Sequence, residues 1–401
     1  MKYIVLVPDG MADEPVAELG GKTPLEAAHT PNMDLLAQGG VSGLVKTIPD
    51  GFLPGSDIGN LALMGYDPNV CFTGRSPLEA ANMGIILADD EIAFRCNLAT
   101  VHDGKMVDYS AGHITTEEAR ELIAYLQEKL NHQSLRFYAG KSYRHIMVLK
   151  TNEQENYKAV KTIPPHDILN QSIEQYLPQG NNVALLLDLM ARSVAILKEH
   201  PVNQARLNNG LAPATMIWLW GQGGKPRLPL FRDRYGLTGS VISAVDLVNG
   251  IGRLAGLDVI DVPGANGYYD TNYAGKAEYA LASLKNKDFV YIHIEAPDEA
   301  GHNGDWKAKK ESIEKIDAIV VSKIIEYAKN QGDVRILVSP DHPTPINKRT
   351  HTRLPVPFIL YGEGVVPNGI SQYSESQAAP AGVLFDSGEK LLAAFFKRGV
   401  K

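Results

Sequence analysis

Between Lys287 and Asp305 the chain reads KDFVYIHIEAPDEAGHNGD. Phe289 to Ile294 is a short run of apolar, aromatic and β-branched residues, which predicts a buried strand. Glu295, Asp298, Glu299, His302 and Asp305 follow it directly. Open α/β sheets carry their sites at the C-terminal ends of strands. Asp298 and His302 are spaced by four residues, so one helical turn puts both on one face. A carboxylate with an imidazole suits zinc, manganese or a similar divalent ion. The bland alternative is an acidic helix start followed by a solvated histidine.

Complementary groups follow other strand-like runs. Tyr3 to Val7 is apolar and ends in Pro8-Asp9-Gly10, so Asp9 is either a site residue or part of an Asp-Gly turn. Val334 to Val338 ends in Ser339-Pro340-Asp341-His342, and His351 lies nine residues past His342. Pro49, Gly51, Pro54 and Gly55 fix an irregular turn before Ser56, and a helix-like segment follows. Such a turn holds a nucleophilic hydroxyl at a helix N-terminus, where free N–H groups welcome phosphate. The alternative for Ser56 is a simple N-cap. Three Asp, three His and one Ser hydroxyl are enough for two divalent ions. Two such ions clamp a phosphoryl group, and one activates the attacking hydroxyl.

The chain that positions these residues has 401 residues, which suggests two or three domains at about 150 residues each. Its apolar fraction of 44% and charged fraction of 21% are those of a globular protein. A net charge of -7 and a pI near 5.9 argue against a nucleic-acid partner. Cys71 and Cys96 offer no disulfide framework or metal spacing, which points to a reducing compartment. The N-terminal apolar run is too short for a signal peptide, and no apolar run of about 18 residues occurs, so a cytoplasmic protein with no membrane partner is expected. Gly20-Gly21-Lys22-Thr23 lacks the first glycine of a P-loop, because position 16 is Val16. Gly250, Gly252 and Gly256 miss the dinucleotide spacing by one residue, so no motif supports a nucleotide cofactor.

Strand and helix patterns alternate at both ends of the chain. Glu91 onward reads differently: two strands joined at Asp103-Gly104, then a helix from Thr115 to Leu130 with a Thr cap and early acids. Strands over 135–138 and 145–149, a helix over 182–199 and a strand over 215–220 follow. Further strands are expected at 289–294, 334–338 and 356–361, a long helix at 308–329 containing Asp317, and a closing helix at 389–397. The expected architecture is an α/β, doubly wound, mostly parallel sheet formed by residues 1–84 and 236–401. An α+β segment, residues 85–235, interrupts it.

The ensemble VPDGMAD, GSDIGN, TGRSPLEAA, EAPDEAGHNGD, PDH and THT resembles the alkaline phosphatase superfamily, and within it the archaeal-type cofactor-independent phosphoglycerate mutases. The motif order and the inserted segment match over essentially the whole chain. The resemblance implies an alkaline-phosphatase-like sheet with an inserted substrate-binding cap, a two-metal site and a phosphoserine intermediate. It implies one ion on Asp298, His302 and His351, a second on Asp9, Ser56, Asp341 and His342, and Ser56 as nucleophile. Manganese is the expected ion, with cobalt, zinc or magnesium as alternatives, and neither bisphosphoglycerate nor a nucleotide is needed. The substrate would be a small phosphorylated hydroxy acid. Closure of the cap would exclude water and favour transfer over hydrolysis.

His113, in SAGHITTEEA, matches the family's substrate-binding histidine. Arg144 and Arg75 are candidate forks for carboxylate or phosphate, and Lys276 and Lys225 are candidate phosphate contacts. Each has a solvated-surface alternative. The Arg-Asp pair and Arg-rich motifs of the bacterial long form have no counterpart in matching context; Arg232-Asp233-Arg234 falls near the end of the cap. Three other functions fit parts of the pattern: a homoserine kinase-like phosphotransferase of the same superfamily, a metal-dependent phosphohydrolase, and a non-enzymatic binding protein indifferent to its metal ligands. Oligomeric state is left open by the sequence.

Overall fold

The structure is a computed structural model that describes residues 1–130, 132–151, 157 and 159–397. The chain divides into two compact units, Met1–Phe72 with Arg227–Lys401, and Thr73–Pro226. The boundaries drawn from the sequence lie further along the chain at both joints. Helix Arg75–Asn82 belongs to the second unit, where Ser76 Oγ donates to the Gly221 carbonyl at 2.6 Å. Helix Phe231–Tyr235 belongs to the first, where Phe231 stacks on Phe289 at 4.6 Å.

In chain order the first unit contains β1 (Lys2–Pro8) and β2 (Val41–Val45). The second contains β3 (Glu91–His102), β4 (Lys105–Asp108), β5 (Leu135–Tyr138), β6 (Arg144–Lys150) and β7 (Met216–Gly224). The first unit resumes with β8 (Gly239–Ile242), β9 (Asp258–Val259), β10 (Phe289–Ile294), β11 (Val334–Val338), β12 (Val356–Gly362) and β13 (Leu384–Phe385).

The first unit's sheet has the order β13-β2-β12-β11-β1-β10-β8-β9. Only β12 runs antiparallel to its neighbours. This is the mostly parallel, doubly wound sheet expected from the sequence. Its central strand β1 pairs with β10 from Tyr3↔Phe289 to Pro8↔Ile294, and with β11 from Lys2↔Val334 to Leu6↔Val338. The ladder continues one step beyond the strands. Asp9 N–H donates to Ile294 O at 2.9 Å, and Ser339 N–H to Leu6 O at 3.1 Å. The loops after β1, β10 and β11 therefore leave the sheet side by side.

These strands are almost entirely apolar because both faces are covered, with His293 in β10 and Arg335 in β11 as buried exceptions. Ile4, Leu6, Val290, Ile292, Ile336 and Val338 pack into a core shared with Met33, Ala277, Ile316 and Val320 of the helices on that face. Helices Ser56–Leu63, Asp246–Leu254 and Gly388–Phe396 pack together elsewhere in the unit, and Tyr3 meets Phe395 and Phe396 edge-on. The long helix expected over 308–329 runs over Trp306–Lys315 and Ser322–Gln331 with a π-helical turn at Ile316–Val321. Asp317 in that turn is fully buried, and its carboxylate accepts the N–H groups of Asn32 at 3.2 Å and Met33 at 2.7 Å. It thus caps helix Pro31–Gln38, a task the Thr30 side chain does not perform. Among the described residues no helix is long and apolar enough to cross a membrane.

The second unit is an antiparallel sheet, β4-β3-β6-β5 with β7 also paired to β3, packed against helices Thr116–Leu130 and Ala184–Glu199. The β3–β4 hairpin turns at Asp103 and Gly104, with φ of 47° and 69°, as the Asp-Gly pair predicts. Thr115 and Glu118 form the expected reciprocal cap. His145, in the middle of this sheet, is 2% exposed; its Nδ1 accepts the Gly140 N–H at 3.0 Å and its Nε2 has no hydrogen-bond partner among the described residues.

Burial pushes the His145 imidazole down from 6.5 to about 3. Below pH 6.5 the unfolded chain takes up a proton that the native state refuses. The stability present above that pH is therefore lost as pH falls, by at most about 1.4 kcal/mol per pH unit. The melting temperature should drop on acidification from about pH 7 to about pH 5, and drop less in His145→Asn. Equal pH dependence in both proteins would assign the acid sensitivity to another group.

Candidate metal centre and serine loop

The turn before Ser56 folds as its Pro and Gly residues dictate, but Gly55, not Ser56, is the N-cap of helix Ser56–Leu63. Ser56 occupies the first helical position and its hydroxyl caps nothing. The Oγ instead lies 3.5 Å from Asp9 Oδ2 and 3.2 Å from His342 Nε2. Asn60, one turn on, donates to Ser56 O at 2.9 Å and to Asp341 Oδ2 at 2.7 Å, and accepts the Tyr291 hydroxyl at 2.7 Å. Gly59 permits this approach: a Cβ there would stand 2.5 Å from Asp341 O. The helix is thus pressed against the loop after β11.

Asp9, Asp341 and His342 are fully buried together. His342 Nε2 is 3.5 Å from Asp9 Oδ1 and 3.4 Å from Asp341 Oδ2. Gly10 N–H donates to Asp341 Oδ1 at 3.2 Å. A second group lies beside the first. Helix Ala296–Asn303 starts after β10 and carries Asp298 and His302 on one face, with Asp298 Oδ2 3.3 Å from His302 Nε2. His351 Nε2 is 3.4 Å from Asp298 Oδ1 and 2.9 Å from His302 Nε2. The seven groups expected of the two ligand sets are therefore brought together. Asp305 stands apart from them: it caps helix Trp306–Lys315, accepting N–H from Lys307 and Ala308.

Three further contributors lie outside the ligand sets expected from the sequence; of them only Glu295 is among the polar groups singled out after the 289–294 run. His293 Nε2 lies 3.0 Å from Asp9 Oδ2, and its Nδ1 meets Ser243 Oγ at 3.1 Å. Glu295 lies with Asp9 and Asp298 in a group whose oxygens fall within 4.8 Å of one another. Thr344 donates to Asp298 Oδ1. A histidine inside a strand as apolar as FVYIHI was itself a signal, because a polar group buried there needs a partner.

The electrostatics favour a cation. Burial, then Asp341, Asp298 and Glu295, raise Asp9 well above the usual carboxylate range. Burial and Asp298 push Glu295 up to about 8. Burial acts the same way on Asp298, but hydrogen bonds from His302 and His351 overcome it and hold that carboxyl well below its ordinary value. The bond to Asp298 lifts His302 to about 9. Asp9 Oδ1 and Glu295 Oε2 are buried without a hydrogen-bond partner among the described residues, and His293 Nε2, though 3.0 Å from Asp9 Oδ2, makes no well-aligned hydrogen bond there. The histidine tautomers agree. His302 Nδ1 faces Arg349 O at 3.1 Å and His351 Nδ1 faces Pro54 O at 3.2 Å. A carbonyl only accepts, so each Nδ1 carries a proton and each Nε2 is turned toward Asp298, where a metal ion could take the place of the proton shared with that carboxylate. The two Nε2 atoms stand 2.9 Å apart, a separation that a shared proton or a metal ion between them would stabilise. Asp298–His342–His351 and Asp9–His293–Asp341 are two compact donor sets for such ions.

Lys276 is fully buried, not solvated. Its Nζ donates to His293 O at 3.0 Å, and burial lowers it to about 8 against the pull of Glu295 and Asp9. It balances the acidic cluster from within the fold. Arg75, Arg144, His113 and Lys225 belong to the second unit. There Arg75 and Arg95 both reach Glu79, at 3.0 and 3.1 Å, and Arg144 stacks over Tyr143. Arg95, which the sequence reading did not single out, packs over Trp220 at 4.3 Å. His113 is exposed, with φ of 50°, and Lys225 pairs with Asp89 at 3.1 Å.

Fold and site together define a doubly wound α/β protein with a serine at the edge of a candidate divalent-metal centre. The family model for 2,3-bisphosphoglycerate-independent phosphoglycerate mutase matches residues 37–203. A 2,3-bisphosphoglycerate-independent phosphoglycerate mutase of Methanosarcina barkeri is 50% identical over 385 residues, 96% of each chain. Among solved structures, a Pyrococcus horikoshii protein is 30% identical with a TM-score of 0.84, covering 100% of this chain and 98% of its own. A cofactor-independent phosphoglycerate mutase of Thermoplasma acidophilum is 27% identical with a TM-score of 0.67, covering 99% and 100%. The chain belongs to the archaeal-type 2,3-bisphosphoglycerate-independent phosphoglycerate mutase family.

One buried ion pair stands behind the site. Lys309 Nζ contacts Asp13 Oδ2 at 2.6 Å, Ala12 O at 3.3 Å and Thr344 O at 2.9 Å, tying the loop after β1 to the loop after β11. Burial raises Asp13 and lowers Lys309, each opposed by the other's charge. Lys309→Met leaves Asp13 buried and unpaired, and should cost about 3 kcal/mol or more in denaturant unfolding. Lys309→Met/Asp13→Asn should recover part of that loss. A single variant as stable as the wild type would show that the pair does not hold the loops.

Proposed function

We propose that this chain interconverts 2-phosphoglycerate and 3-phosphoglycerate through a phosphoserine at Ser56. One observation carries the reading: the Ser56 hydroxyl, free of any capping bond, lies within 3.5 Å of both Asp9 and His342 beside a second Asp–His–His group. Membership of the mutase family supports the same substrate. Asp298, His302 and His351 would hold one divalent ion, and Asp9, Asp341 and His342 with Ser56 another; His293 and Glu295 are further donors within reach of Asp9. Ions bound there would draw charge from the phosphoryl oxygens and favour the serine alkoxide.

The remaining work falls to the chain. Asp9 Oδ2 and His342 Nε2 flank the Ser56 hydroxyl at 3.5 and 3.2 Å and orient its oxygen. The N–H groups opening helix Ser56–Leu63 favour the phosphoryl group's negative charge. Ser56 Oγ gives up its proton and attacks phosphorus, the bond from phosphorus to the first glycerate oxygen breaks, and that oxygen takes up one proton. The neighbouring glycerate hydroxyl then loses its proton and attacks the phosphoserine, restoring Ser56. Arg75, Arg144 and His113 are the proposed substrate contacts of the second unit, two guanidinium forks and an imidazole for an anionic glycerate.

Purified protein with added manganese should convert 3-phosphoglycerate to 2-phosphoglycerate, followed through enolase, with neither bisphosphoglycerate nor ATP present. Ser56→Ala should lower kcat by about a thousandfold or more and abolish covalent phosphate labelling. Phosphate release without isomerisation would make the protein a phosphohydrolase, and ATP-dependent phosphorylation of homoserine would make it a kinase. A strong chelator should inactivate reversibly, and full activity in its presence would overturn the two-ion reading.

A further inference from the structure

Thr344 lies between the two proposed ligand sets and was assigned to neither. It is fully buried. Its Oγ1 is 2.5 Å from Asp298 Oδ1 and 3.2 Å from His342 Nδ1. The backbone is pinned as well: Thr344 N–H donates to Ala12 O at 3.2 Å, and Thr344 O accepts from Lys309 Nζ at 2.9 Å. Two glycines are shaped around it. A Cβ at Gly301 would stand 2.4 Å from Thr344 O, and one at Gly10, where φ is +61°, would stand 2.6 Å from Thr344 Oγ1. The threonine has no room to turn away.

A hydroxyl has one proton to give. The Asp298 carboxylate, an acceptor, takes it at the shorter contact. Thr344 Oγ1 is left as an acceptor toward His342 Nδ1, so that nitrogen must carry the ring proton. The His342 Nε2 lone pair then points at Ser56 Oγ, Asp9 and Asp341. Groups of this kind behind a metal ligand fix its tautomer and direction, and losing one typically costs about 10- to 100-fold in metal affinity.

We infer that Thr344 is a positioning residue whose hydroxyl links Asp298 to His342, fixes His342 as its Nδ1–H tautomer, and so couples the two ion sites. The coupling rests on the ligand reading proposed above; the tautomer does not.

Thr344→Val keeps the shape and removes the hydroxyl, leaving the His342 Nδ1–H buried with no acceptor. Thr344→Ser keeps the hydroxyl. Long-range imidazole nitrogen–proton NMR of the metal-free protein, with His342 assigned by its loss in His342→Asn, should show Nδ1–H in the wild type and Thr344→Ser. Thr344→Val should show a mixed or Nε2–H ring. A wild-type Nε2–H tautomer would overturn the inference however Thr344→Val folds. Calorimetric titration with Mn2+ alone should give two ions per wild-type chain. Both should weaken about 10- to 100-fold in Thr344→Val and stay within about threefold in Thr344→Ser. Two ions bound at wild-type affinity by a folded Thr344→Val would overturn the coupling. Failure of the wild type itself to bind Mn2+ would remove the ligand reading and the coupling with it, while the metal-free spectra would still decide the tautomer.

Discussion

Four carboxylates, Asp9, Glu295, Asp298 and Asp341, stand beyond the C-terminal ends of the central parallel strands, and their mutual repulsion in a buried setting is the constraint around which the first unit is arranged. The backbone forces them together. β1 is hydrogen-bonded on both sides, to β10 and β11, in a register that ends all three strands at the same level. Whatever follows those strands must share one small volume. Burial and the neighbouring carboxyls raise Asp9 and Glu295 far above their ordinary values. Such a cluster is stable only when protons, a lysine or metal ions supply the missing positive charge.

The surroundings meet that demand in layers. Lys276 brings an ammonium beneath the cluster from helix Tyr273–Ser283. His302 and His351 are fixed by carbonyl acceptors so that both turn their Nε2 atoms toward Asp298. Helix Ser56–Leu63 aims its N-terminal end at the site and is held there by Asn60, which joins the serine's own carbonyl to Asp341. Farther back, Lys309 and Thr344 stitch the loops after β1 and β11 to helix Ala296–Asn303. A parallel sheet defines only where loops begin; these contacts define where they go.

The second unit holds a cluster of the opposite electrostatic character. Three guanidiniums, Arg75, Arg95 and Arg144, lie around one carboxylate, Glu79, whose proton affinity they lower despite its burial. Burial, helped by the neighbouring charges of Arg75 and Arg144 and opposed by Glu79, brings Arg95 down to about 10. An excess of positive charge against the aromatic faces of Trp220 and Tyr143 suits a small anion. An acidic centre that calls for cations and a basic cluster that calls for anions are thus carried on separate units of one chain.

The strands bearing the site were legible because both faces of the sheet are covered, which makes them predominantly apolar runs. β10 and β11 fall where those runs predict. The candidate ligands were legible for a related reason: Asp9, Asp298, Asp341 and His342 stand at or shortly after the ends of apolar runs. The sequence also contained the turn before Ser56, since Pro and Gly restrict or free the backbone locally. It did not decide whether that serine caps its helix or faces Asp9, because the choice depends on Gly59 meeting the Asp341 loop, a contact between residues far apart in the chain. Nor did it single out His293, Arg95 and Thr344, or show Lys276 to be buried. Residue type and spacing report local geometry and periodic burial. Strand register and the packing of loops from distant segments determine which buried polar groups meet, and only the tertiary structure decides those.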